Sequence, residues 1–426
     1  MFYMPHPFVI ILGKSVRYVA RLRGGGSALP GLFVEKISPN FIKDILDQLP
    51  HGIVVISGTN GKTTTTKMVV ALLEAHGLKV FTNRTGSNFT RGIAASLLGE
   101  VDRKGVLDAD IAVLELDEAH AVKFVHEVPP RYSLLLNVMR DQLDRFGEID
   151  ATAKMLEKIA VATTDTVVLN REDQRVLAIK DALTDQNVSL FGLGDSLLGD
   201  FPSDDDMHSA SVKTVKRPAA DVVLTAYSGL QATYTLSGKT FSTSLKLNGV
   251  YNVFNSAAAI ALAGAVLGPK AKADTMIATI AQVTPAFGRG EELEVGGHPL
   301  ELILVKNPSG FRLGLQSFSP EGYATMIAIN DNYADGRDMS WLWDVDFETL
   351  SDEGVSQVAG IRAYEMALRL QYDEVTVGHV TTDLVAGLHQ FIDNSPTLPK
   401  RIYCTYTAML ALRKELGKIT NVEVVS

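Results

Sequence analysis

From Gly52 onward the chain alternates short runs of aliphatic and β-branched residues with longer stretches of helical period. Ile53-Val54-Val55-Ile56-Ser57 is apolar without alternation, the mark of a strand buried on both faces, and Thr65 to His76 has the period of the helix that follows it. The same reading places strands at Lys79–Phe81, Ile111–Glu115, Tyr132–Leu136 and Asp165–Leu169. Strands that alternate with helices predict crossover units and a mostly parallel sheet covered on both faces.

Near Leu190 the texture changes. Gly192 to Asp206 is rich in Gly, Ser and Asp, and Val222 to Leu247 shows short alternating runs such as Leu230-Gln231-Ala232-Thr233-Tyr234-Thr235-Leu236, which predict an antiparallel hairpin insertion. Asn248 to Leu267 returns to an alanine-rich helix. After Pro285-Ala286-Phe287-Gly288-Arg289-Gly290, which reads as a hinge, a second α/β pattern begins. Its strands are expected at Leu302–Val305, Thr325–Ile329, Val355–Ala359, Glu374–Val377 and Arg401–Cys404, with helices at Ala363–Leu370 and Ala408–Leu416. The expected organisation is an N-terminal helical segment over 1–45, a central α/β domain over 46–288 with a β-rich insertion at 190–247, and a smaller Rossmann-like α/β domain over 289–426.

Composition narrows the function. With 426 residues, 46% hydrophobic and 21% charged, the chain can bury ordinary globular cores. A net charge of −9 argues against bulk nucleic-acid binding, which favours a basic face, but leaves a nucleotide site open because local donors make such a site. The single cysteine, Cys404, excludes an internal disulfide framework and a cysteine zinc cluster. Its apolar surroundings predict a buried strand thiol and a reducing, cytoplasmic compartment. The apolar stretch Phe8 to Leu12 is too short to span a bilayer. Lys14 to Arg23 reads either as a packed N-terminal helix or as a basic amphipathic foot at the inner face of the cytoplasmic membrane.

The sharpest chemical signal is Ser57-Gly58-Thr59-Asn60-Gly61-Lys62-Thr63-Thr64, after a strand and opening a helix. Gly58 and Gly61 let successive N–H groups turn toward phosphate oxygens, the helix N-terminus adds partial positive charge, and Lys62 reaches the β- and γ-phosphates. Thr63 is placed for Mg²⁺. Ile56 stands where the general P-loop has its first glycine, so the shorter Gly58-to-Thr63 form is the relevant one.

That form resembles the Mur-ligase superfamily, a likeness running from Gly52 to about Arg289. A second set of motifs resembles one branch, the MurT family, over nearly the whole chain: Gly24 to Gly31, Arg140-Asp141-Gln142-Leu143-Asp144-Arg145-Phe146-Gly147-Glu148, Lys306-Asn307-Pro308-Ser309-Gly310, and Asn330 to Asp344. The resemblance implies a Mur-ligase-type P-loop domain and an ATP- and Mg²⁺-using ligase that amidates the α-carboxylate of D-glutamate in the lipid II stem peptide. It implies an acyl phosphate attacked by ammonia, supplied by a GatD-type glutaminase docked on the C-terminal domain as a heterodimer. By the same resemblance Glu115 is the magnesium-binding glutamate beside Thr63. Asn170 and Asp173 belong to a nucleotide-side motif, Asn252 and Asn255 lie near adenine, and Arg289 is a hinge arginine that meets the phosphates. Asp338 reaches the partner's catalytic histidine, with Asp335, Asp344 and Asp346 as competitors. Trp341 and Trp343 would pack one into the core and one toward the partner.

The departures are as specific. Asp141-Gln142 replaces the Asp-His of ordinary Mur ligases, and neither Lys154 nor Lys158 takes the place of their carbamylated lysine. The family's four-cysteine zinc ribbon has no counterpart in 190–247, so no zinc is expected. Two other readings remain: a stand-alone amino-acid ligase of the Mur or folylpolyglutamate synthase kind, and a non-catalytic ATP-binding scaffold.

Overall fold

The computed structural model describes residues 6–22, 28–83, 89–139, 149–200, 217–247, 249–284 and 289–422. Three helices open the chain: α1 (His6–Leu22), α2 (Ala28–Ile37) and α3 (Phe41–Leu46). The crossover pattern follows as β1 (Ile53–Ser57), α4 (Lys62–Ala75), β2 (Val80–Thr82), α5 (Thr90–Glu100), β3 (Ile111–Glu115), α6 (Glu118–Glu127) and β4 (Tyr132–Leu135). It continues with α7 (Ile149–Val161), β5 (Thr166–Asn170), the short α8 (Gln174–Ala178) and β6 (Asn187–Leu193). Then come β7 (Val222–Ser228), β8 (Gln231–Leu236), β9 (Lys239–Ser244), α9 (Val250–Leu267) and α10 (Ala273–Ile280).

These strands form one nine-stranded sheet in the order β2-β3-β1-β4-β5-β6-β7-β8-β9. It is parallel from β2 through β7, and β7, β8 and β9 pair antiparallel. The β-rich stretch expected as an insertion is therefore the far edge of the central sheet. Strand β7 joins it by parallel pairing of Phe191, Gly192 and Leu193 with Val222, Val223 and Leu224.

All five residues of β1 are buried, and their two-residue period divides them between two cores. Val54 and Ile56 face Met68, Val69, Leu72 and Leu73 of α4 and Ala257 to Ala263 of α9. Ile53 and Val55 face Phe81, Leu97 and Phe124, together with Val9, Ile10 and Val34 from the N-terminal helices. The alanines of α9 let α4 and the sheet approach its axis closely. Helix α9 is long and apolar enough to cross a membrane by composition, yet 72% of that stretch is buried inside the protein.

The remaining residues build a second sheet. Its elements are β10 (Arg289–Val295), β11 (His298–Leu304), α11 (Pro308–Ser317), β12 (Ala324–Ala328), β13 (Val355–Ala359), α12 (Ala363–Tyr372), β14 (Val377–Thr381), α13 (Leu384–Asn394), β15 (Lys400–Cys404) and α14 (Tyr406–Leu416). The order is β10-β11-β15-β12-β13-β14, with only the β10–β11 hairpin antiparallel. The strand expected at Glu374–Val377 begins instead at Val377. Glu374 has a left-handed φ of 57° and cannot sit in a ladder, so the apolar pair Val375 and Val377 belongs to the turn and the strand's first residue.

Candidate active site

The loop between β1 and α4 lies at the carboxyl end of β1, the third strand of the sheet, flanked by β3 and β4, where the strand order reverses. Crevices at such switch points are the usual ligand sites of open α/β sheets. Gly58 has φ +134°, and a Cβ there would fall 3.0 Å from the backbone nitrogen of Asn137. Gly61, the N-cap of α4, has φ +87°, and its Cβ would fall 2.5 Å from Asn255 Nδ2. Both positions need glycine for conformation and for space.

Asn137, just past β4, holds the loop's shape. The Thr59 N–H donates to its carbonyl at 3.0 Å. The Asn60 N–H donates to its Oδ1 at 2.8 Å, and its Nδ2 donates to Asn60 O at 3.0 Å. The amides of Thr59 and Asn60 are thereby used within the protein. The first turn of α4 supplies the N–H groups that helix geometry leaves without intrahelical acceptors.

Lys62 is buried and curled back on its own loop. Its Nζ donates to Gly58 O at 2.5 Å and Thr59 O at 3.4 Å, and Glu118 Oε2 lies 3.6 Å away. Glu118, at the start of α6, is also buried. Burial pushes its carboxyl above the usual range, and the Lys62 ammonium opposes that shift. Beside this pair Thr63 Oγ1 donates to Glu115 Oε1 at 2.8 Å. Glu115 ends β3 and is clamped by Asn83 at the end of β2. The Asn83 Nδ2 donates to Glu115 O at 2.8 Å, and the Glu115 N–H donates to Asn83 Oδ1 at 3.0 Å.

Asn252 and Asn255, in the first turns of α9, line a cleft together with Asn60, Gly61, Asn137 and Tyr251. The opposite wall is the second domain, through Ile303, Leu304, Lys306 and α11. Lys306 Nζ donates to Thr59 O at 3.2 Å. The Asn307 Nδ2 donates to Asn60 Oδ1 at 3.2 Å, while its Oδ1 caps α11 by accepting from the Gly310 N–H at 2.7 Å. Two lysines from two domains thus meet at the Thr59 carbonyl.

Asn170 and Asp173 both bond to backbone groups around Asn137. Asn170 Nδ2 donates to Leu136 O at 2.8 Å. Asp173 Oδ2 accepts from the Val138 N–H at 2.6 Å, and its Oδ1 accepts from the N–H groups of Arg175 and Val176, each at 3.0 Å. Burial raises the Asp173 carboxyl to about 6. These side chains brace the strand ends on either side of Asn137, which in turn holds the loop. Arg289 opens β10, but its side chain lies outside the described residues, as do Gly24 to Ser27 and the Asp141-Gln142 motif.

Asp338 is not among the cleft's lining residues. It stands half-buried with Oδ1 accepting from the Ser340 N–H at 2.9 Å. Its competitor Asp335 is committed elsewhere, accepting from the Thr407 N–H at 2.7 Å, the Thr407 hydroxyl at 2.5 Å and the Asn332 N–H at 3.0 Å. Asp344 offers its backbone carbonyl to Arg312. Trp341 is buried beside Phe311, whereas Trp343 is 42% exposed, edge-on to Tyr372 at 5.1 Å.

Reading the sequence missed three side chains at the loop: Asn137, Glu118 and Lys306. Asn137 carries a usable signal, since it follows a buried strand next to the switch point. Lys306 and Asn307 stood in a recognised stretch without an assigned place. Nothing local separates Glu118 from a solvated acid.

Two family models match the chain, the Mur ligase middle domain over residues 56–263 and the MurT ligase C-terminal region over residues 304–409. Among solved structures, MurF from Acinetobacter baumannii superposes with a TM-score of 0.69 at 17% identity, covering 92% of this chain and 80% of that one. MurF from Thermotoga maritima, solved in complex with ADP, gives 0.66 at 17% identity, covering 89% and 84%. These likenesses establish a Mur-ligase fold. In sequence the chain is 31% identical, over 96% of both chains, to the MurT subunit of lipid II isoglutaminyl synthase (glutamine-hydrolyzing) from Streptococcus pneumoniae. It is 29% identical to the Staphylococcus aureus MurT subunit, over 86% of this chain and 88% of that one. The chain belongs to the MurT family, ligases of peptidoglycan biosynthesis.

Proposed function

We propose that this chain is the ATP-using subunit of a two-protein amidotransferase that converts the α-carboxylate of D-glutamate in the lipid II stem peptide into an amide. The observation that carries the reading is the intact set of buried Lys62, part-buried Thr63 and buried Glu115, beside a cleft whose far wall brings Lys306 to the same loop. The MurT relatives' names supply lipid II and glutamine as the substrate classes.

A carboxylate is a poor electrophile. In the proposed path its oxygen attacks the γ-phosphorus of ATP, the bond to ADP breaks, and an acyl phosphate forms. Ammonia then attacks the carbonyl carbon, a proton is lost from nitrogen, and inorganic phosphate leaves with the C–O bonding pair. Phosphoryl transfer of this kind rests on positioning and charge neutralisation. Lys62 would exchange the carbonyls of Gly58 and Thr59 for phosphate oxygens, with the amides of Gly61 to Thr64 completing the cradle. Asn252 and Asn255 would flank the nucleotide, and Asn170 and Asp173 would act through Asn137. The adjacent oxygens of Thr63 and Glu115 are hard donors of the kind Mg²⁺ takes, and a bound ion would neutralise phosphate charge.

Neutral ammonia is scarce near pH 7 and has to be made by hydrolysing glutamine. Cys404 is fully buried in β15, and burial raises its thiol far above the range in which a thiolate forms. It cannot serve as a glutaminase nucleophile, which supports a separate GatD-type partner. Asp338 and the exposed Trp343 and Tyr372 lie in the same domain and would meet it, with Asp338 orienting a partner histidine. The decisive test is turnover of lipid II with glutamine and ATP by both subunits together. Loss in Lys62→Ala supports the reading. Retained amidation, or equal turnover with an amino acid and no partner, overturns it.

A further inference from the structure

Helix α1 is fixed to the central body by one face. Val9 and Ile10 are fully buried. Gly13 comes so close to its neighbours that a Cβ would fall 2.9 Å from Leu98 and 3.0 Å from Val34. Lys14 Nζ donates to Val101 O, just past α5, at 2.6 Å. The opposite face carries Phe8, Ile11, Ser15 and Tyr18 at i, i+3, i+7 and i+10, so they form one stripe along the helix. Phe8 is 51% exposed, Ile11 55% and Tyr18 66%.

A stripe of large apolar side chains facing water needs an occupant, and charge says which one. Residues 1–34 contain the basic side chains Lys14, Arg17, Arg21 and Arg23 and no acidic one, in a chain with a net charge of −9. An anionic surface therefore attracts this segment and repels the chain as a whole, which orients the molecule. Ser15 in mid-stripe and the Tyr18 hydroxyl suit the wet headgroup layer better than a dry protein groove. We propose that the outer face of α1 docks on an anionic lipid bilayer, with Phe8, Ile11 and Tyr18 entering the headgroup boundary and the positive charge of residues 1–34 favouring anionic headgroups over neutral ones.

The placement also serves the site. Helix α5, against which α1 packs, begins seven residues after Asn83, the residue that clamps Glu115. Phe89, at the start of α5, stacks edge-on against His120 of α6 at 4.4 Å. One helix of 11 residues, about 16 Å, thus separates the docking helix from the rim of the phosphate loop.

The inference is independent of the amidation reading, because vesicle binding is measured without turnover. The full-length chain, with its partner where the two purify together, is sedimented at ~0.1 M salt with mixed phosphatidylglycerol–phosphatidylcholine vesicles and with phosphatidylcholine alone. Sedimentation with the anionic vesicles only is expected. The triple variant Phe8→Ser, Ile11→Ser, Tyr18→Ser should lower the partition coefficient roughly ten-fold or more, and Arg21→Gln alone about five-fold. Circular dichroism confirms that each variant folds, and Arg21→Gln keeps the test valid should the triple variant fail. Absence of sedimentation, equal partition to both vesicle types, or unchanged binding by folded variants overturns the proposal. So does loss of partner co-purification in the stripe variant with vesicle binding intact, which would reassign the face to a protein contact.

Discussion

In the phosphate loop Thr59, Lys62 and Thr64 are buried, and hydrogen bonds to Asn137, Glu115 and Asn307 tie this stretch to three other parts of the chain. In the loop after β12, Asp335 and Trp341 are equally buried, but Tyr333 is 83% exposed and Trp343 42% exposed, with Asp338 half-buried between them. The first region directs its polar groups inward, onto other parts of the same chain. The second uses a buried acid and a buried indole as anchors and leaves Tyr333 and Trp343 facing outward. On the proposed reading the first is a site complete within one chain and the second a site that awaits a partner, and the two differ in where their anchoring residues lie.

The contrast can be broken in order of expected effect. Lys62→Ala should lower amidation by roughly a thousand-fold or more with either glutamine or ammonia as nitrogen source, measured with both subunits present. Asp338→Asn should instead lower the glutamine-dependent rate by about a hundred-fold or more and leave the ammonia-dependent rate near wild type. Equal loss on both routes would remove Asp338 from any partner-facing role. Gly61→Ala should destabilise the fold by about 1–3 kcal/mol, from its left-handed φ and its clash with Asn255, read by chemical denaturation. Asn255→Gly in the same chain should restore part of that loss. Lys306→Ala should raise the KM for ATP several-fold while leaving the melting temperature within a few degrees, because its bond to Thr59 spans two domains.

A last effect concerns pH. Asp173 is raised from 3.8 to about 6 by burial, so between these values the folded state holds the proton more tightly than the unfolded state. Stability contributed by this group is greatest below about pH 4 and declines as pH rises through 6, by roughly 2–3 kcal/mol in total. Asp173→Asn should flatten that part of the stability–pH curve relative to wild type. Parallel curves for the two proteins would show that Asp173 does not titrate there.

The central sheet was legible because β1, β3, β4 and β5 are buried on both faces and therefore read as uninterrupted apolar runs. The edges of the second sheet were not. Strand β14 contains Gly378 and His379 and is half solvated, and β10 alternates Glu with Leu and Val, so neither shows the signature of a core strand. The phosphate loop was legible because glycine spacing reports backbone conformation directly. Its supporting residues were not, because what places Asn137, Glu118 and Lys306 at the loop is strand order and domain contact, which local sequence does not record. Asn170 and Asp173 were recognised as a motif, yet their bonds to the backbone on either side of Asn137 could not be read from it.

Gly61 and Asn255 occupy one volume. The space that a side chain at 61 would need is filled by the amide at 255. Across related chains, the two positions should therefore vary together: wherever Asn255 is retained, residue 61 is confined to glycine, and any larger residue at 61 requires a smaller one at 255. That covariation can be sought in sequences alone, and it would reveal the seating of α9 on the phosphate loop in relatives whose structures have never been determined.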